Sequence, residues 1–349
     1  MSAMIYPWQE TAWKRLQDGK RQQHHALLIH GPAGTGKRRF VEIYAQSLLC
    51  TDHDEDGLPC GRCSDCRWLD QQTHPDFRLL TPDALRADPL EPAAITDEDA
   101  ARGEKKASNQ ITIDQVRGLR DFLGLTAHRA VGSRVIVIQP AEAMNGAAAN
   151  ALLRMLEEPP ARTFFLLVAD EIRRLLPTIL SRCHRYPMPA VSSALAYEWL
   201  QGQGVADTGT LLAQAGGAPM AALAQAGDQN ERKFFLDRLS SLAGPGAALD
   251  LAAAVQKLPP HTVLRWLVTW CYDLVAARVA NEIRYHPDYA EVLRVLAPTP
   301  AIDRLLQYQD RLKIAVHSVA HPLNPRLFLE QLLLSYTQTI TPSSSYGHT

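Results

Sequence analysis

No excess charge, no uncharged apolar stretch of membrane-spanning length and no internal repeat mark this 349-residue chain. Lys and Arg number 36 against 37 Asp and Glu, a formal net charge of −1. Without a global basic field, a protein that coats nucleic acid by charge alone is excluded, and any such contact is local or shared with partners. The most apolar long stretch, TVLRWLVTWCYDLVAARVA (262–280), contains Arg265, Asp273 and Arg278. Each such charge costs about 3 kcal/mol at the centre of a bilayer, so the stretch reads as an amphipathic helix of a water-soluble core. The opening MSAMIYPWQE lacks the basic start and apolar core of a secretory signal. A cytoplasmic protein without membrane association is expected.

Cysteine is scarce outside one window. Of six cysteines, Cys50, Cys60, Cys63 and Cys66 fall in one short segment, while Cys183 and Cys271 have no cysteine near them and read as plain thiols. In a chain of intracellular character such clustering favours a metal over disulfides. Four thiolates suit Zn²⁺ in a closed tetrahedral shell, which leaves no open position for catalysis and implies a structural staple. The run C-x2-C-x2-C also opens ferredoxin-type iron–sulfur sites, but those continue x3-C-P, and Asp70 stands at that position. A metal-free cluster is the third alternative. His53 and His74 are spare ligands that the shell does not need.

The length fits two or three domains, and 46% hydrophobic residues support sizeable cores. ALLIH (26–30), RVIVI (134–138) and TFFLLVA (163–169) are continuous apolar runs, as expected of parallel strands covered on both faces. A helical pattern through Phe40, Ile43, Tyr44, Leu48 and Leu49 follows the first run. Another, Asn150 to Glu158, is ended by Pro159-Pro160. The alternation predicts a doubly wound α/β module over 1–187. Residues 82–110 are acidic, proline-bearing and poor in large apolar side chains, and read as a flexible surface insertion. Beyond PMPAVSS the chain turns Ala/Leu-rich, with a small helical domain over 188–228 and a larger helical domain over 229–338. Trp266 and Trp270, one helical turn apart in the latter, read as core. Residues 339–349 read as a disordered tail.

Between the first strand and helix lies HGPAGTGKRRF (30–40). Gly31, Gly34, Gly36 and Lys37 form a phosphate-cradling loop in the strand–loop–helix setting such a loop requires. Nucleotide hydrolysis also needs a hydroxyl for Mg²⁺ and a carboxylate to position water. Arg38 occupies the hydroxyl's place. RVIVI runs not into Asp-Glu but into Gln139-Pro140-Ala141, with Glu142 displaced. Two losses in one site argue against hydrolysis; binding of ATP without Mg²⁺, through backbone amides and Lys37, stays open.

NALLRMLEEPP (150–160), LSRC (180–183), the four-cysteine cluster followed by HPDF (74–77), and the early YPWQE together resemble the delta-prime type of clamp-loader subunit of bacterial DNA polymerase III, in the AAA+ superfamily. The resemblance is dense over 1–187 and looser beyond. Insertion 82–110, and a glycine loop less degraded than such subunits can show, depart from the pattern. The resemblance implies an AAA+ module carrying the zinc loop, then a helical lid and a helical collar. It implies assembly with delta and several gamma or tau subunits into a five-membered ring that uses ATP to load the beta sliding clamp on primed DNA. In that ring the chain would be a rigid stator without ATPase activity, part of a DNA-directed DNA polymerase holoenzyme yet with no polymerase activity. Its contacts to DNA would be to phosphates. Arg182 of SRC would serve as an arginine finger in the neighbour's ATP site, where such a residue stabilises charge on the γ-phosphate. Arg173 and Arg174 read as solvated helix residues. Pro219 stands about where active relatives carry a nucleotide-sensing arginine. The alternative is an ATP-hydrolysing motor subunit of the gamma or tau type. A free-standing zinc-dependent nucleic-acid binder fits poorly, since the shell is closed and the charge balanced.

Overall fold

A computed structural model describes residues 5–18, 24–85, 108–124, 132–318 and 324–340. Most of the expected insertion 82–110 and nearly all of the expected tail 339–349 lie outside the described residues. The chain divides into two compact units, 1–191 and 192–349.

The first unit runs α1 (Glu10–Asp18), β1 (Ala26–His30), α2 (Lys37–Leu49), α3 (Ser64–Asp70), β2 (Phe77–Leu80), α4 (Ile113–Gly124), β3 (Arg134–Ile138), α5 (Gly146–Glu157), β4 (Thr163–Ala169), α6 (Pro177–Leu180) and β5 (His184–Pro187). The strands form one parallel sheet in the order β2-β3-β4-β1-β5. Side chains alternate between its faces. Leu28, Ile136, Ile138, Phe165 and Leu167 enter a core with Val116, Leu119, Leu152 and Leu156 of α4 and α5. Leu27, Ile29, Val135, Val137, Leu166 and Val168 enter a second core with Trp13, Phe40, Val41 and Tyr44 of α1 and α2. Both faces are covered, which is why the three inner strands are so continuously apolar.

β2 and β5 escape a search for apolar runs, and the reason is their place. They are the sheet's edges, partly exposed, and FRLL and HRYP carry charge within such short strands. The helix expected from Asn150 starts earlier, at Gly146. Asn145 caps it by accepting a hydrogen bond from the Ala148 amide at 2.8 Å. It stops at Glu157, short of the two prolines.

Among its described residues the second unit's regular elements are all helices, the longer ones being α7 (Ser193–Gly202), α8 (Thr208–Gln214), α9 (Pro219–Gln225), α10 (Gln229–Ser240), α11 (Gly244–Val255), α12 (Pro260–Ala280), α13 (Ala290–Leu296), α14 (Ile302–Ser318) and α15 (Pro325–Ile340). Trp266 and Trp270 of α12 are buried in its core with Leu305, Tyr308, Leu333 and Tyr336. The Trp270 indole N–H donates to the Tyr336 hydroxyl at 2.8 Å, so burial leaves that polar edge met. No helix among the described residues is long and apolar enough to cross a membrane.

The charge that disqualified α12 as a membrane span has a structural use. Asp273 is fully buried and accepts hydrogen bonds from the amides of Arg284, Tyr285 and His286 at 2.8–3.2 Å. Burial pushes its carboxyl up, while those amides pull it back down. Beside it, Arg232 grips Asp288 through two hydrogen bonds of 2.6 and 3.0 Å, and also donates to His286 Nδ1. Burial and that guanidinium push His286 down to about 3, so its ring is neutral. These groups tie the 281–288 loop to α10 and α12. Asp273→Ala orphans three amides, each costing about 1–3 kcal/mol; a loss of about 3 kcal/mol or more is expected in urea denaturation of the chain. A loss below about 1 kcal/mol would show that water replaces the carboxylate.

Candidate functional site

The phosphate loop joins the end of β1 to the start of α2. Gly36 caps α2 in the left-handed region, φ 81°, and a Cβ there would lie 2.5 Å from the Tyr6 ring. Only glycine meets both conditions. The segment Tyr6–Gln9 lies over the loop, the Tyr6 and Trp8 rings stacking with centroids 4.9 Å apart. Trp8 Nε1 and Gln9 Nε2 both donate to the Thr35 carbonyl, at 2.9 and 3.0 Å. The Thr35 hydroxyl turns back onto the Pro32 carbonyl at 3.0 Å.

Lys37 is where the loop's chemistry should reside, and its side chain is 3% exposed. The ammonium donates to the carbonyls of Gly31 and Pro32 at 2.8 and 2.6 Å and pairs with Asp170 at 2.5 Å. An ammonium has three donors, and three acceptors of the chain itself take them. Arg38, in the magnesium hydroxyl's place, pairs with Glu42 one turn along α2 at 2.9 Å, its side chain 68% exposed.

The second half of the site is equally committed. Gln139 follows β3, buried, and its backbone N–H donates to the Leu80 carbonyl at 3.0 Å. Glu142 Oε1 accepts from the amides of Asp170 and Glu171 at 2.9 and 3.3 Å. The first carboxylate after β3 in the chain, Glu142, therefore braces the loop after β4, the loop that supplies Lys37 with its counter-ion. Pro219 is the buried first residue of α9 and offers no charge.

Arg182 sits at the other end of the sheet. β1 and β5 are parallel neighbours, with Leu27 opposite His184, so the phosphate loop leaves the C-terminal end of β1 while Arg182 precedes the N-terminal end of β5. Their separation runs along the strands and does not cross the sheet from one edge to the other. Arg182 Nε donates to Glu157 Oε1 at 2.8 Å, and Nη2 donates to the same oxygen. Nη1 donates to the Thr178 carbonyl at 3.0 Å and to the Ser181 hydroxyl at 3.3 Å. Cys183, next in the chain, is buried, and burial pushes its thiol up to about 11, so it is inert.

The four clustered cysteines meet. Their sulfurs all lie within 4.8 Å of one another, with Cys50 3.6 Å from Cys60 and 3.9 Å from Cys63. Four thiolates about 2.3 Å from a tetrahedral Zn²⁺ stand about 3.8 Å apart, so the donor set fits such an ion. Backbone amides support the sulfurs. Cys63 Sγ accepts from Cys66 N at 3.4 Å, Cys60 Sγ from Cys63 N at 3.3 Å, and Cys50 Sγ from Cys60 N at 3.4 Å. Cys50 ends α2 and Cys63 caps α3, so a bound ion would clip these helices together. His74 pairs with Asp65 at 3.4 Å, and His53 bonds to the Ser47 carbonyl at 2.5 Å. Neither belongs to the cluster.

Two participants went unseen in the sequence. Asp170, the partner of Lys37, and Glu157, the partner of Arg182, both lie far along the chain from the side chains they neutralise. The EEPP run was visible as a motif, but nothing in it said which residue Glu157 meets.

A family model described as DNA polymerase III, delta subunit, matches residues 8–192, and one for the C-terminal part of that subunit matches 227–338. DNA polymerase III subunit delta' of Pseudomonas aeruginosa is 33% identical, covering 97% of this chain and 99% of its own length. The delta' subunit of Escherichia coli is 31% identical over 79% of each chain. DNA polymerase III subunit tau of Bacillus subtilis is 28% identical over 68% of this chain and 37% of its own length. A relative matched at 33% identity from end to end, over a parallel sheet whose phosphate loop is closed upon itself, establishes that the chain belongs to the delta' subunit family of DNA polymerase III.

Proposed function

We propose that this chain is the non-hydrolysing stator of the DNA polymerase III clamp loader. It assembles with delta and gamma or tau subunits in the cytoplasm to load the beta sliding clamp on primed DNA, which the ring holds by its phosphates. The observation that carries the reading is the state of Lys37. Its three donors are spent on Gly31, Pro32 and Asp170, so a nucleotide phosphate would have to displace them. With Arg38 turned to Glu42 and Glu142 to the 170–171 amides, neither a magnesium ligand nor a water-positioning carboxylate remains at the expected places. Arg182 works instead in the neighbour's ATP site, as an arginine finger supplied in trans. Residues 188–228 serve as the lid, 229–338 as the collar that joins the ring, and Cys50, Cys60, Cys63 and Cys66 hold a structural Zn²⁺.

Arg182→Ala is expected to leave folding and ring assembly intact. It should slow the ATP site it serves by about 10³-fold or more, read as a fall in steady-state ATPase of the reassembled complex. An unchanged rate removes Arg182 from the mechanism. Lys37→Ala is expected to leave that ATPase unchanged, and the isolated chain to show no Mg²⁺-ATPase with primed DNA; turnover abolished by the substitution would establish the motor subunit instead. Elemental analysis should find about one zinc per chain, and Cys63→Ser should abolish it and lower the thermal midpoint. Iron with sulfide would overturn the assignment.

A further inference from the structure

The Glu157–Arg182 contact has more order than an exposed ion pair needs. Nε and Nη2 converge on one carboxylate oxygen, while Nη1 is spent on the Thr178 carbonyl and the Ser181 hydroxyl. Four of the five guanidinium hydrogens are thus directed by the chain itself. Both side chains keep solvent access, 32% for Arg182 and 45% for Glu157, so the pair adds little to stability. Glu157 also stands in the last turn of α5, where the helix dipole disfavours a negative charge. A carboxylate placed there is explained by what it holds.

We propose that Glu157 is the positioning residue of Arg182. It orders the guanidinium before assembly and yields to the phosphate oxygens when the neighbour's ATP site closes on it, while Thr178 and Ser181 retain Nη1. This rests on the reading of Arg182 as an arginine finger. An unrestrained arginine side chain explores many rotamers, and ordering it in advance removes that loss from the reaction it serves. The carboxylate can be displaced because it is exposed; a buried partner would not let go.

The test compares Glu157→Ala, Glu157→Gln, Arg182→Ala and the double variant, each reassembled with delta and gamma or tau subunits. Assembly is verified by gel filtration and folding by thermal melting. Glu157→Ala is expected to lower the kcat for ATP by roughly threefold or more, with KM and assembly unchanged. Glu157→Gln keeps the accepting oxygen but not the charge, so its loss should be smaller. The double variant should be no slower than Arg182→Ala, because both residues act through one guanidinium. If Arg182→Ala slows the complex and Glu157→Ala does not, the positioning role falls and the finger stands. If neither slows it, both fall. Faster turnover with Glu157→Ala would make the contact a restraint and overturn the proposal. So would a loss confined to KM, a loss of assembly, or a double variant slower than Arg182→Ala.

Discussion

Pairing of β1 with β4 on one side and β5 on the other is the constraint from which the places of both Lys37 and Arg182 follow. Parallel strands deliver all their C-terminal ends to one end of the sheet. The loop after β1 and the loop after β4 therefore meet there, and Asp170 reaches Lys37. The same parallelism sends the residues preceding β5 to the opposite end, where Arg182 meets the last turn of α5. One sheet thus separates a closed phosphate loop from an accessible arginine by the length of its strands.

Charge tells the two ends apart. Lys37 is buried, and every donor it has is used by the loop that would otherwise cradle phosphate and by Asp170; opening it would strip Asp170 of its counter-ion and two carbonyls of their donor. Arg182 makes four hydrogen bonds but keeps a third of its side chain in solvent, where an ion pair is worth little. Lys37 is thus buried among acceptors of its own chain, whereas Arg182 is paired at the surface. The four-cysteine cluster lies on neither path. Its sulfurs bring the end of α2 to the start of α3.

Much of this was legible in order along the chain. The inner strands announced themselves because burial on both faces demands apolar residues in succession, and the boundaries 26–30, 134–138 and 163–169 coincide with those observed. The edge strands did not, since FRLL and HRYP answer to one neighbour and to solvent. The cysteine window read correctly as one cluster because its ligands are local: a helix end, a turn and a helix start bring four thiols together within one short segment. Arg38 and Gln139-Pro140 were visible as departures because a phosphate loop and its partner strand have fixed spacing.

The sequence by itself therefore determined the class of fold, the members of the cluster and the absence of two parts of an ATPase site, all of which depend on residue type at short range. Tertiary structure alone decided what occupies the residues that remain. Lys37 is satisfied by Asp170, Glu142 braces the loop beyond β4, and Glu157 holds Arg182. Each of these pairings joins elements distant in the chain, and no periodicity encodes them. Charged side chains choose partners by distance in space, and that distance exists only once the strands have paired.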